Sequence, residues 1–124
     1  MDANRFYSVS FDCRNDMKVL ALREACGGIA AYGRWQALLG MIYDQNGTID
    51  AAPEPMWRVL QRELELDDAG LREFLAACAD FGLIDGASWD SSSLIVSHGA
   101  LEEIAYRRRK RAAGAKGGKQ VRKQ

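Results

Sequence analysis

The residues whose chemistry is plainest lie at the end of the chain. Nine cations fall between Arg107 and Gln124: Arg107, Arg108, Arg109, Lys110, Arg111, Lys116, Lys119, Arg122 and Lys123. No aspartate or glutamate interrupts them. Lysine and arginine at this density, interspersed with Gly114, Gly117 and Gly118, suit a run of phosphates, because neutralising phosphate charge dominates nucleic-acid affinity. Such an arm reads charge and not sequence. Its alternatives are a solvated linker or a segment folded back on an acidic body. The rest of the chain is acidic. Residues 1–106 hold eight cations against all seventeen anions, so the overall neutrality hides a body at −9 and an arm at +9. An acidic body with a basic arm points to a polyanion partner for the arm.

Other chemistry is harder to assemble. Cys13, Cys26, Cys78 and His98 are formally a zinc set, yet structural zinc sites bring ligands in close pairs and these are far apart. Three unpaired cysteines fit reduced, buried thiols in a cytosol. His98 follows Ser97, but a nucleophile and its base need spatial reach and a third orienting group. Asp12 and Asp16 share a helical spacing suited to a metal, and a turn role and a helix-start role explain them more simply. The segment from Gly114 to Lys119 lacks the four-residue spacing, the Ser/Thr and the preceding strand of a phosphate loop. No catalytic residue, metal ligand or cofactor is therefore expected, and the chain reads as a non-enzyme. No apolar stretch approaches a membrane span. The start MDANRFYSVS has no apolar signal core, which predicts a cytoplasmic protein of a bacterial or phage-infected cell.

The elements that position these groups follow from periodicity. With 124 residues, 48% of them apolar, one compact domain with a true core is expected. Tyr7, Val9 and Phe11 alternate with serines in an extended lead-in over 4–12. Asn15 and Asp16 suit the start of a helix carrying Val19, Leu22 and Cys26 on one face, stopped by Gly27-Gly28. A second helix over 29–45 carries Tyr32, Trp35, Leu38, Leu39, Ile42 and Tyr43, and Asn46-Gly47 ends it. Thr48-Ile49-Asp50 makes a very short strand. Pro53 opens a third helix with Met56, Leu60 and Leu64 along one side, broadened by Trp57. Asp67 or Asp68 caps a fourth, with Leu71, Phe74, Leu75, Cys78 and Phe81 inward and Gly82 at its end. Trp35 and Trp57 are expected in the core.

Beyond Gly82 the period changes. Leu83-Ile84-Asp85 and Leu94 to Ser97 read as a hairpin around a polar loop over 86–93. A last helix starts near His98, with Leu101, Ile104 and Ala105 inward. Its tail loses periodicity after Ala113, and three glycines predict a poor helix with flexible last ten residues. The fold class is thus mainly α with a small β-hairpin: a winged helix-turn-helix plus an N-terminal and a C-terminal helix. Residues 1–106 form the winged-helix domain and 107–124 the basic arm or linker.

The motifs Phe11-Asp12, Arg14-Asn15-Asp16, Lys18, Val19 to Arg23, Tyr32-Gly33, Leu38-Leu39, Tyr43 and Asn46-Gly47 resemble the N-terminal domain of phage replisome organisers and DnaD-like primosomal proteins. The ending from Arg107 through Lys119 is similar to the linker after that domain. The resemblance covers nearly the whole chain, most firmly residues 7–47. It implies a winged helix that initiates replication by binding DNA near an origin, self-associating and helping a helicase or helicase loader arrive. In that family DNA affinity sits largely in a C-terminal part, so the chain is expected to be a fragment or a short variant.

One departure qualifies groove reading by the fourth helix. It turns Asp67, Asp68, Glu73 and Asp80 outward against a single Arg72, and the 86–93 loop has no cation. An acidic helix in a major groove is repelled. Arg58 and Arg62, four apart on the third helix, are better placed for phosphate, or they pair with Glu54, Glu65 or solvent. Trp89 in the loop either stacks on a base, anchors a partner protein or folds back on the hairpin. The rival functions are a winged-helix transcriptional regulator, which needs a basic recognition helix, and an interaction module that binds no DNA.

Overall fold

The computed structural model describes residues 17–122, with side chains described through Gly114. The lead-in over 4–12, the helix start at Asn15 and Asp16, and Asp12, Cys13 and Lys123 lie outside the described residues. Six helices and two strands follow in order: α1 (Met17–Cys26), α2 (Ile29–Asp44), β1 (Thr48–Asp50), α3 (Glu54–Leu64), α4 (Asp68–Asp80), α5 (Gly86–Ser92), β2 (Leu94–Val96) and α6 (His98–Arg122). The chain is mainly α with one small antiparallel strand pair, as the periodicities predict.

The central helix is α2. Its apolar positions bury Ala31, Trp35, Leu38, Ile42 and Tyr43, and α1, α3, β1 and α6 all pack against it. Arg34 reaches from α2 to donate to the Leu64 carbonyl at 2.8 Å. That carbonyl is one of those a helix end leaves without an intrahelical donor. α4 buries Leu71, Phe74, Leu75 and Cys78. Each fully buried leucine contributes about 1.5–3 kcal/mol over an exposed one. At its start Asp67 accepts from Gly70 N at 2.7 Å, the side-chain cap expected of aspartate there. Trp35 belongs to the core, whereas Trp57 is only half-buried against its edge.

Three expectations need correction. Residues 86–93 are not an open loop: α5 occupies 86–92, capped by Asp85, which accepts from Ser88 N at 2.9 Å. The strand pair also has a different partner. β2 pairs with β1, Thr48 opposite Val96, Ile49 opposite Ile95 and Asp50 opposite Leu94. Of the expected pairing with 83–85 only one ladder bond exists, Asp85 N to Val96 O at 2.8 Å. Ile49 and Ile95 are both buried, so joining them gains more apolar contact than a local hairpin spanning a polar loop.

The third correction concerns the arm. α6 runs without a break from His98 to Arg122, so the tail is helical where its glycines predict a poor helix. Nucleation is the costly step in helix formation, and the packed stretch around Ala100 and Ile104 has already provided it. Alanine, arginine and lysine then extend the helix, each glycine costing about 1 kcal/mol relative to alanine. The inner face also differs in detail. Ala100 and Ile104 are buried, while Leu101 remains exposed along one side and rests its side chain on Gly47.

A candidate nucleic-acid interface on the last helix

The cations expected to meet phosphate separate into two sets. Those of the body are each matched by a carboxylate on their own helix. Arg58 donates to Glu54 at 2.6 Å, one turn away on α3. Arg62 lies 3.4 Å from Glu63. Arg72 bonds Asp68 at 3.2 Å, and its guanidinium stands 4.8 Å from the centre of the Trp57 ring. These pairs are exposed and individually worth about 0–1 kcal/mol, but they cancel the local charge that would draw a polyanion. Arg72 is the most committed, since Asp68 also accepts from Trp57 Nε1 at 2.8 Å. The Arg72 bond, then the Trp57 bond, hold the Asp68 carboxyl below its ordinary pKa.

Trp89 is part of the same arrangement. Its ring stacks on Trp57, with centroids 6.4 Å apart and planes 15° apart. Trp89 is half-buried and meets α3, not the hairpin onto which it is expected to fold back. Trp57 thus contacts both Trp89 and Arg72. The ladder ties α5 to α3 and α4.

On α6 the pattern changes along the helix. Arg107 pairs with Glu103 at 2.7 Å, both side chains being about three-quarters covered. Glu103 also accepts from the hydroxyl of buried Tyr43. Arg108 donates to Asn46 Oδ1 at 3.1 Å. Asn46 sits in the turn after α2 at φ 61°, beside Gly47 at φ 99°. The root of α6 is thus fastened to the α2–β1 turn through Tyr43, Asn46 and Gly47. Beyond the root, Arg109, Lys110 and Arg111 are exposed and form no ion pair or hydrogen bond with any described residue. Every described position from Arg108 to Gly114 is exposed. Positions 116, 119 and 122 continue the same helix. The charge that carboxylates cancel at Arg58, Arg62 and Arg72 is left uncancelled at Arg109, Lys110 and Arg111.

Sequence reasoning misses Tyr43, Asn46 and Glu103 as the arm's supports. The Glu103–Arg107 spacing of four is a visible sign. Asn46-Gly47 reads locally as a helix stop and nothing more. Its second use depends on α6 passing over it, which no local pattern announces.

The remaining candidates make local contacts with one another and with the backbone. Ser97 is buried and caps α6, accepting from Ala100 N at 3.1 Å, and the imidazole of His98 turns to Asp85 instead. His98 Nε2 lies 3.1 Å from Asp85 Oδ1, while Ser88 Oγ donates to Asp85 Oδ2 at 2.6 Å. The serine therefore meets the carboxylate and not the imidazole, which is not a base-and-nucleophile relation. Asp85 is pulled down to about 2 by the Ser88 hydroxyl first, with His98 and the Ser88 amide adding to it. Burial pushes the Cys78 thiol well above its ordinary pKa and raises Cys26 as well, opposite to what a reactive thiolate needs. Among the described residues no group of three His, Cys, Asp or Glu is gathered as a metal site, and no helix is long and apolar enough to cross a membrane.

Among known proteins, the family model described as "Lin1244/Lin1753-like, N-terminal" matches residues 6–100. No curated protein and no solved structure matches the chain. The matched span takes in α1 through β2 and stops just inside α6, so the basic arm lies beyond it.

Proposed function

We propose that this chain, which belongs to the Lin1244/Lin1753-like N-terminal domain family, is a non-catalytic DNA-binding and assembly module of replication initiation. The folded body serves assembly, with itself or with a helicase or helicase loader. The basic arm holds DNA through its phosphates with weak sequence preference. We read the body as a variant winged helix in which α5 stands where a wing would be. Its element order from α2 to α4, helix–strand–helix–helix, supports that reading.

One observation carries the DNA assignment. Arg58, Arg62 and Arg72 on the body are each paired with a carboxylate, whereas Arg109, Lys110 and Arg111 on the arm face solvent unpaired. The same observation weighs against a regulator reading bases through α4, whose outward face keeps Asp67, Glu73 and Asp80 exposed.

The test is a triple replacement, Arg109→Ala, Lys110→Ala and Arg111→Ala, outside the folded core. It should weaken DNA binding at least tenfold at moderate salt, given about three lost phosphate contacts, with the melting temperature unchanged. Unchanged binding would move the contact to the body and revive the regulator. Absence of binding in the native chain would leave an interaction module without DNA.

A further inference from the structure

Resting on the assignment of the arm to DNA, we infer that its partner is duplex DNA of B form, met in the major groove by α6 as a helix. The arm is helical and not an extended string of charges. α6 is continuous from its packed root to Arg122. Its direction is set by Leu101 on Gly47, by Tyr43 through Glu103 to Arg107, and by Arg108 on Asn46. A helix with its side chains is about 10–12 Å across, and the B-DNA major groove is about 12 Å wide. Residues 109–122 extend about 21 Å at roughly 1.5 Å per residue, enough to follow a groove past about six base pairs.

Single strands call for something this surface lacks. Their binding relies on aromatic platforms along which successive bases stack. Tyr106, exposed at the root of the arm, is the last aromatic residue in the sequence, so the arm offers one ring and no succession of them. Trp57 is already engaged by the Trp89 ring and by the Arg72 guanidinium. Double-stranded RNA is disfavoured for another reason: its major groove is too deep and narrow for a helix to enter. What the arm offers is a cationic helix, exposed at its described positions from Arg108 to Gly114, and that matches the B-form groove.

The experiment compares a labelled mixed-sequence duplex with one of its own strands, by anisotropy, using the full chain. Gly114→Pro breaks the helix while keeping every charge. A side-chain carbon added at Gly114 would meet nothing within 4 Å, so the replacement disturbs no neighbour. The native chain should prefer duplex by about tenfold or more. The proline variant should lose about that factor on duplex and keep its single-strand affinity, with the melting transition of the body preserved. Gly114→Ala should shift duplex affinity the other way. Equal affinity of the native chain for duplex and single strand overturns the inference, as does a proline variant that binds duplex like the native chain; both leave the arm as a plain phosphate contact. Failure of the native chain to bind either form overturns the DNA assignment itself.

Discussion

Gly47 brings its backbone so close to Leu101 that a β-carbon there would stand 2.4 Å from Leu101 Cδ2. The glycine also sits at φ 99°, where a side chain is strained. The two residues join the turn after α2 to the first turn of α6, and through it to the arm. Gly47→Ala should therefore destabilise the protein by about 1–3 kcal/mol, the cost of holding a strained backbone position. Urea unfolding would read this as a lower midpoint at unchanged slope.

Tyr43 supports the same helix from beneath. Its buried hydroxyl donates to Glu103, which holds Arg107 in turn. Tyr43→Phe should cost about 1.5–3 kcal/mol, the range for a hydrogen bond to a charged group. A double-mutant cycle with Glu103→Gln should give a coupling energy well away from zero. Additive effects would mean that the two groups do not depend on one another.

Asp85 gives the protein an acid-sensitive joint. Its folded pKa, about 2, lies below the ordinary 3.8, so the stability it contributes is fully present above about pH 4. That contribution is lost as pH falls through about 2. Asp85→Asn should thus be less stable than the native chain at neutral pH, and the gap should close across this window. Thermal melts of both proteins at stepped pH would show the convergence. A gap unchanged down to about pH 2 would deny the carboxylate its capping role.

The tryptophan ladder predicts a separation of effects. Trp89→Ala removes the ring stacked on Trp57 and loosens α5. An aromatic pair adds about 0.5–1.5 kcal/mol beyond its buried area, so stability should fall by at least that much. Trp57 emission should shift with its greater exposure. DNA affinity should hold, because the ladder is remote in role from the arm.

Much of this fold is legible in the sequence because its signals are local. The stripe from Trp35 to Tyr43, Pro53 before α3, the Asp67 cap and the period from Leu71 to Cys78 each specify an element within one or two turns. The parts that escape such reading depend on distance. Ile95 has buried neighbours available in more than one strand, and periodicity does not say that Ile49 will be the one. α5 is rich in serine, a poor helix former, and holds through the Asp85 cap and the Trp89–Trp57 contact. The aspartate three residues before Ser88 is its one local sign. The arm escapes too, because three glycines argue against a helix until the nucleated stretch ahead of them is known. For the candidate interface, the charge is plain in the sequence. Which cations are already paired is not, since Arg72 meets Trp57 only after α3 and α4 pack.

On the function proposed above, the arm and not the body holds DNA. This is tested most directly by duplex binding across a salt series for residues 1–124 and 1–108, a cut that keeps Arg107 and Arg108 on their partners at the root. With about five phosphate contacts, log K for the full chain should fall against log salt with a slope near −4.5, and residues 1–108 should bind negligibly. Equal affinity and equal slope for the two would contradict the account and place the contact on the body.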